Sequence, residues 1–149
     1  MNSPSRLSGE EVLRYLPQRP PIILVDEMLE RGPDHIITGI TVRPDDLFVE
    51  DDHMREGGLI EHVAQSAALG IGLSKAAEAD GAPPIGFIGS VSRLRIARTP
   101  RIGERLRTEV RTQHRIGPVE VVQGLVRSNG EEIATMEMKV FLMDDGGGA

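Results

Sequence analysis

The chain has 149 residues, a length that predicts one domain with a sizeable buried core. Its 23 Asp and Glu outnumber 17 Lys and Arg, for a formal net charge of −6, and it has one Tyr, three Phe and no Trp. This composition argues against nucleic-acid binding, which needs clustered basic side chains and stacking aromatic rings. Because Cys is absent, disulfides and thiolate zinc sites are excluded.

Targeting and membrane-spanning patterns are not visible in the sequence. Residues 1–14 lack the basic start and apolar run of a signal peptide. No apolar stretch approaches the roughly 18 residues that a membrane helix needs. We therefore expect a cytoplasmic protein without a membrane span.

The first third of the chain predicts a short helix and two strands. Ser8 and Glu11 have the spacing of a capping box, so we expect Ser8 to cap a helix. The apolar run over residues 22–29 predicts a buried strand, and residues 36–42 predict a second strand after a turn. Residues 45–56 are polar, acidic and mostly without period, which predicts a loop.

The pattern changes at Gly57 to that of a long helix ending near Ala79. Its apolar residues cover more than one face, which is typical of a helix buried on most of its circumference. Gly70 and Gly72 each lower helix propensity by about 1 kcal/mol relative to Ala. We expect close packing against a sheet or a second helix to compensate for this cost.

Four β segments follow a break at residues 81–84, and a glycine-rich tail, expected to be disordered, occupies residues 144–149. Alternating polarity and the turn residues between the segments predict antiparallel pairing. The segments cover residues 85–97, 105–114, 119–127 and 132–143. This order predicts a single α+β domain over residues 1–149, with a curved antiparallel sheet wrapped around the long helix. Such a sheet leaves an exposed edge strand, so we expect a homodimer or a higher homo-oligomer.

Three segments carry motifs that occur together in one family. Residues 16–26 are LPQRPPIILVD, residues 58–65 are GLIEHVAQ, and residues 96–106 contain Pro100 and the pair Gly103-Glu104. They resemble the β-hydroxyacyl-acyl-carrier-protein dehydratases of the hotdog fold, which open with Leu-Pro-His-Arg-x-Pro-Phe-Leu-Leu-Val-Asp. That family's central helix begins after Gly and carries Glu-x-x-Ala-Gln, and a later segment reads Phe-x-x-Pro-x-x-Pro-Gly-Asp.

The resemblance implies a hotdog fold and the dehydration of a 3-hydroxyacyl thioester to the trans-2-enoyl thioester. It implies an acyl-carrier-protein or coenzyme A thioester as substrate, in fatty acid or polyketide-like biosynthesis. An acyl carrier protein is then a candidate partner, and neither a metal nor an organic cofactor is implied.

One departure from the family lies before the long helix. The family carries Gly-His-Phe-Pro there, in a longer stretch, and that His is its catalytic base. Here residues 48–56 are shorter and lack the motif, although Asp52 and His53 fall near the corresponding position. The chain is thus more similar to a dehydratase-like branch that has the shortened loop.

The resemblance also implies roles for individual residues. Glu61 matches the helix carboxylate that protonates the leaving hydroxyl, and His53 is the candidate base, supplied by the partner chain as in the family. The N–H groups of Gly57 and Gly58 would hold the thioester carbonyl oxygen, because amides at a helix N-terminus are unpaired. Gln65 shares a helix face with Glu61 and would orient its carboxylate.

Each of these residues also has a structural interpretation. Glu61, expected in the first helical turn, can complement the helix dipole, and Gln65 can bond to a strand backbone. The two glycines can be ordinary loop residues, and His53 can be a solvated side chain. We expect His62, which points about 100° away from Glu61, to contact the sheet or a partner chain.

Acyl-chain and carrier binding have weaker signals. Residues 86–91 mix apolar and very small side chains, and Phe87 and Gly89 could line a narrow tunnel beside the helix. The alternative is close packing of this strand on Gly70 or Gly72. A cluster of Arg93, Arg95 and Arg98 could contact an acidic carrier or a pantetheine phosphate, with Arg93 and Arg95 on one strand face. The alternative for this cluster is a solvated sheet face.

Metal binding is a poor alternative, because Glu61-His62 lacks the second His of a HExxH site and the acidic run lacks EF-hand spacing. Two other functions remain open beside dehydration. One is a hotdog thioesterase, in which the helix carboxylate activates water. The other is a non-catalytic subunit that binds an acyl group or a carrier.

Overall fold

A computed structural model describes residues 6–78 and 85–143. It contains a short helix, α1, over Glu10–Leu13 and a long helix, α2, over Glu56–Glu78. The strands are β1 Leu7–Ser8, β2 Glu27–Arg31, β3 His35–Thr41, β4 Val49–Glu50, β5 His53–Met54, β6 Ile85–Ile96, β7 Arg105–Ile116, β8 Val119–Ser128 and β9 Glu131–Met143. The predicted helix end at Ala79, the break at 81–84 and the tail at 144–149 lie outside the described residues.

Seven strands form one antiparallel sheet in the order β1-β2-β3-β7-β8-β9-β6, and β4 pairs with β5 in a separate hairpin. Helix α2 contacts β3 and strands β6 to β9, so the sheet surrounds it. Most of α2 is buried, with Leu59, Val63 and Leu69 fully enclosed. The predicted α+β hotdog arrangement, with one sheet around one long helix, is therefore confirmed. No helix within the described ranges is long and apolar enough to span a membrane.

The hairpin between β8 and β9 has the predicted turn chemistry. Asn129 and Gly130 have φ values of 51° and 79°. Two consecutive positive φ values are what a type I′ turn requires, and Asn-Gly adopts them with little strain. The pairing of Ser128 with Glu131 follows directly from this turn.

The capping prediction is confirmed for Glu11 and wrong for Ser8. The Glu11 carboxylate accepts the Ser8 N–H at 3.2 Å, as in a capping box. Ser8 itself pairs with Glu27 in the sheet, and the helix N-cap is Gly9, with no side-chain cap. Because the Ser8 backbone belongs to a strand, the chain turns into the helix one residue later.

The predicted strand over residues 22–29 is wrong in its first half. β2 begins at Glu27, and residues 22–25 have no strand partner. Their backbone polar groups bond to side chains of α2 instead, as described below. Buried backbone groups must find partners, and side chains satisfy them here as well as a neighbouring strand would.

The predicted loop over residues 45–56 contains a small hairpin. Asp51 and Asp52 connect β4 to β5 with φ values of 52° and 65°. Asp tolerates this left-handed conformation better than most residues. The hairpin places His53 directly after the turn, three residues before α2.

The prediction of close packing at the helix glycines is confirmed. A Cβ added to Gly72 would lie 2.1 Å from the Tyr15 carbonyl oxygen, and one added to Gly70 would lie 3.4 Å from Ile36 Cγ2. Both neighbours lie outside residues 86–91. The alternative in which that segment packs on these glycines is therefore wrong.

Candidate active site

Glu61 lies in the second turn of α2, because the helix begins at Glu56 rather than at Gly57. The acidic residue of the first turn is Glu56, and the helix dipole acts mainly within that turn. Glu61 is half-buried, which sets it apart from the exposed Glu56. Its position therefore does not favour a role limited to complementing the dipole.

Gln65 holds the Glu61 carboxylate from one helical turn away. Its fully buried amide donates from Nε2 to Glu61 Oε2 at 2.8 Å and to the Ile22 carbonyl at 2.9 Å. Its Oε1 accepts the Leu24 N–H at 2.6 Å. Gln65 thus makes both predicted kinds of contact, one with the Glu61 carboxylate and the others with backbone groups. Glu61 Oε1 is the carboxylate oxygen without a protein partner in the described chain.

His62 continues the same network on the next helix face. Its Nδ1–H donates to the Leu24 carbonyl at 2.7 Å, so Nε2 accepts the Thr108 hydroxyl of β7 at 2.8 Å. The predicted contact of His62 with the sheet is confirmed. Complete burial lowers the pKa of His62 to about 4, because desolvation penalises the imidazolium more than the hydrogen bond to Leu24 favours it.

The neutral state of His62 predicts a pH-dependent stability. The unfolded chain protonates this His near its ordinary pKa of about 6.5, whereas the folded chain does so near 4. Its contribution is therefore fully present above about pH 6.5 and is lost as the pH falls through 4. We expect the free energy of unfolding to decrease by up to about 3 kcal/mol across this window. Urea unfolding of the wild type and of His62→Gln between about pH 7 and pH 4 measures this, and an equally steep decrease in the variant would contradict it.

Side chains of α2 hold the segment of residues 22–24, which the sequence pattern predicted to be a strand. Gln65 accepts the Leu24 N–H and donates to the Ile22 carbonyl, and His62 donates to the Leu24 carbonyl. The sequence contained a signal for this contact. The two most specific motifs of the resemblance are residues 16–26 and 58–65, and these two segments meet here. Ile22 is 39% exposed, and its carbonyl shares the Gln65 amide group with the Glu61 carboxylate.

The two glycines at the start of α2 differ in the hydrogen bonding of their N–H groups. The Gly58 N–H donates to the Arg55 carbonyl at 2.9 Å, so the prediction of a free amide is wrong for Gly58. Gly58 is needed for packing, because an added Cβ would lie 2.7 Å from both Phe48 Cβ and Met54 Cγ. Gly57 is exposed, and its N–H has no hydrogen-bond acceptor in the described chain.

His53 is held in one tautomer at the start of β5. Its Nδ1–H donates to the Asp51 carbonyl at 2.9 Å, which leaves the Nε2 lone pair available as a proton acceptor. The flanking backbone is fixed to the segment after β6, with the Met54 N–H bonded to the Pro100 carbonyl. Within the described part of the protomer, no hydrogen bond joins His53 to Glu61.

Phe87 and Gly89 lie on β6, the edge strand of the sheet. Phe87 is 53% exposed, and the ring of Phe141 covers Gly89, where an added Cβ would lie 2.0 Å from Phe141 Cε2. Both residues are exposed in the protomer, with one side of Gly89 against the Phe141 ring. A tunnel wall formed by them would require a second chain.

The predicted basic cluster is not a single patch. Arg98 forms two hydrogen bonds with Glu104, at 2.8 and 3.0 Å, and also contacts Glu131. The Arg98 guanidinium lowers the pKa of Glu104 to about 2. A bulge between Ser92 and Arg95 interrupts the register, so the alternation that placed Arg93 with Arg95 does not hold there. Arg93 and Arg95 are exposed.

The chain is similar to known proteins in sequence and in fold. It is 29% identical to the 3-hydroxyacyl-[acyl-carrier-protein] dehydratase FabZ of Anaeromyxobacter sp. strain K over 139 residues, 89% of this chain and 88% of that one. A structure of the dehydratase heterocomplex ApeI:P from Xenorhabdus doucetiae has a TM-score of 0.82 at 20% identity, with 91% and 92% of the two chains covered. A hypothetical thioesterase with coenzyme A from Streptococcus pneumoniae has a TM-score of 0.62 at 12% identity, covering 78% and 84%.

At these identities the two structures establish a shared fold. The predicted resemblance to hotdog dehydratases is confirmed by the sequence relative and by a family match. Because the family model described as ApeP dehydratase matches residues 10–147, nearly the whole chain, this protein belongs to the ApeP-like dehydratase family.

Proposed function

We propose that this protein eliminates water from a 3-hydroxyacyl thioester carried by an acyl carrier protein or coenzyme A. The observation that carries this proposal is the Glu61 carboxylate, half-buried on α2 and fixed through one oxygen by Gln65. A carboxyl group held in this way presents its second oxygen to a substrate with little loss of side-chain entropy. Membership of the ApeP-like dehydratase family and the FabZ relative support the same reaction.

The reaction divides between an acid and a base. His53 Nε2 takes the proton from C2, the C2–C3 double bond forms, and the C3–O bond breaks as Glu61 delivers a proton to the leaving hydroxyl. The exposed Gly57 N–H is the candidate donor to the thioester oxygen, on which negative charge develops. The ordered tautomer of His53 supports its role, because Nε2 is the unprotonated nitrogen.

The test is incubation of the full chain with 3-hydroxyacyl thioesters of several chain lengths, followed by mass spectrometry of the intact thioester. Wild type is expected to remove one water, and His53→Gln to lower the rate by roughly 10²-fold or more. His114→Gln is the matched control, because His114 is an exposed strand residue on β7. Full activity in His53→Gln would show that another group removes the C2 proton, and it would overturn the assignment of His53 as the base.

The same experiment separates the two other functions. Release of free thiol without loss of water indicates a thioesterase. Substrate binding without any turnover indicates a non-catalytic subunit, and turnover only after mixing with an active homologue indicates a heteromeric enzyme. The heterocomplex ApeI:P, a structure with the same fold, motivates this last measurement.

We further propose that two copies of the chain associate through β6. This strand pairs with β9 alone among the described strands, so its other edge offers unpaired backbone groups. Phe87 and Phe141 add exposed apolar surface beside this edge, at 53% and 41% exposure. An antiparallel pair of β6 strands would continue the sheet across two protomers.

Replacing Phe87 with Lys is expected to weaken this association by about tenfold or more, because burial of a Phe side chain contributes about 1.5–3 kcal/mol. Sedimentation velocity over a range of concentrations measures the change. Ile116→Lys is the matched control, since Ile116 is 71% exposed but lies at the β7–β8 turn, away from the β6 edge. Equal dissociation of the two variants would contradict an interface at β6.

A further inference from the structure

A cleft of about 420 Å³ lies between the second half of α2 and strands β3, β7 and β8. Its volume is within the range of small-molecule sites. The buried part of its lining is apolar and includes Ile36, Ile71 and Val122. The more exposed part is charged and includes Arg31 and Arg115. Neither Glu61 nor His53 lines this cleft, so it is separate from the candidate active site.

Most charged side chains around the cleft are paired. Arg115 lies 3.2 Å from Asp34 and 3.6 Å from Glu120, and His35 lies 2.8 Å from Glu30. Each of these three carboxylates thus already has a nitrogen partner.

Arg31 differs from these groups. Its Nη1 is buried and has no hydrogen-bond partner among residues 6–78 and 85–143. Within the part of the chain that the structure describes, no carboxylate lies within ion-pair distance of its guanidinium. An unsatisfied buried donor on a charged group is costly, and an anion that accepts its hydrogen bond would remove that cost.

We infer that this cleft binds a small amphipathic carboxylate, with its carboxylate on Arg31 and its apolar body against Ile36, Ile71 and Val122. The planar guanidinium matches the two oxygens of a carboxylate. The hydroxyls of Thr112 and Ser74 also line the cleft and provide neutral donors. The site is independent of the reaction proposed for Glu61.

Decanoate is the probe, because it combines one carboxylate with an unbranched apolar chain. Isothermal titration calorimetry of the full chain is expected to show one decanoate bound per protomer, and Arg31→Gln to weaken binding by about tenfold or more. Arg107→Gln is the matched control, because Arg107 is exposed between the buried residues Leu106 and Thr108 of β7. Ala67→Leu is a second variant, which fills the apolar part of the cleft and should also abolish binding.

Backbone amide NMR locates the ligand. Decanoate should shift the amide signals of Gly32 and Gly70, which line the cleft, and leave that of Gly57 in place. Shifts centred on Gly57, or unchanged affinity in Arg31→Gln, would overturn the proposal. Equal affinity for 1-decanol would show that the cleft does not recognise the carboxylate. Binding of inorganic phosphate without binding of decanoate would show that the apolar lining does not contribute.

Discussion

Glu61→Gln is expected to lower the rate constant of water elimination by roughly 10²- to 10⁴-fold, the usual contribution of a general acid. The substitution keeps the size and shape of the side chain and its contact with Gln65 on the same face of α2. It removes the proton that the leaving hydroxyl needs. Rate constants from single-turnover reactions, read by mass spectrometry, isolate the chemical step from product release.

Glu56→Gln is the matched control for this experiment. Glu56 is a carboxylate of the same helix, but it is exposed and lies 3.8 Å from Arg55 in a surface ion pair. Exposed ion pairs contribute little to stability, so the Glu56→Gln variant should fold normally and have the activity of wild type. Unchanged turnover in Glu61→Gln, with the far-UV circular dichroism of the wild type, would show that Glu61 is not the acid.

Gly72→Ala is expected to lower the free energy of unfolding by about 2 kcal/mol or more. The added methyl group would lie 2.1 Å from the Tyr15 carbonyl oxygen, which is backbone and cannot rotate away. Overpacking of this kind costs about 1–3 kcal/mol, and more where the backbone must move. This cost exceeds the gain of about 1 kcal/mol in helix propensity. Urea unfolding at neutral pH measures the difference.

Gly70→Ala is the matched control, two residues away on the same helix. Its added methyl group would lie 3.4 Å from Ile36 Cγ2, an ordinary van der Waals contact. We therefore expect the free energy of unfolding to stay constant or to rise by up to about 1 kcal/mol. Loss of stability in Gly70→Ala as large as in Gly72→Ala would show that helix flexibility, rather than close packing, explains both glycines.

The parts of the fold that the sequence predicts well are those determined by local pattern. The apolar and small residues of α2 form one long run that covers most of the helix circumference, and the four later strands follow an alternation of period two that ends at recognisable turns such as Asn129-Gly130. The pairing of Glu61 with Gln65 is also local, because residues four apart share a helix face. The N-cap of the four-residue α1 is not local in this sense, because it depends on where β1 ends.

The candidate site depends on contacts between distant segments. Residues 22–25 have the composition of a strand, yet their backbone bonds to Gln65 and His62, about 40 positions later. The unpaired Nη1 of Arg31 and the left-handed Asp51 and Asp52 are likewise absent from any sequence pattern. These features depend on which groups the completed fold encloses.

The sequence by itself determined the architecture of this protein and its family, because periodicity and short motifs are properties of neighbouring residues. The tertiary structure decided which polar groups are satisfied. It showed that Gly58 donates to Arg55, that the Gly57 amide has no acceptor among the described residues, and that burial keeps His62 neutral. Hydrogen bonding and desolvation depend on atoms brought together from far along the chain, and only the folded arrangement determines them.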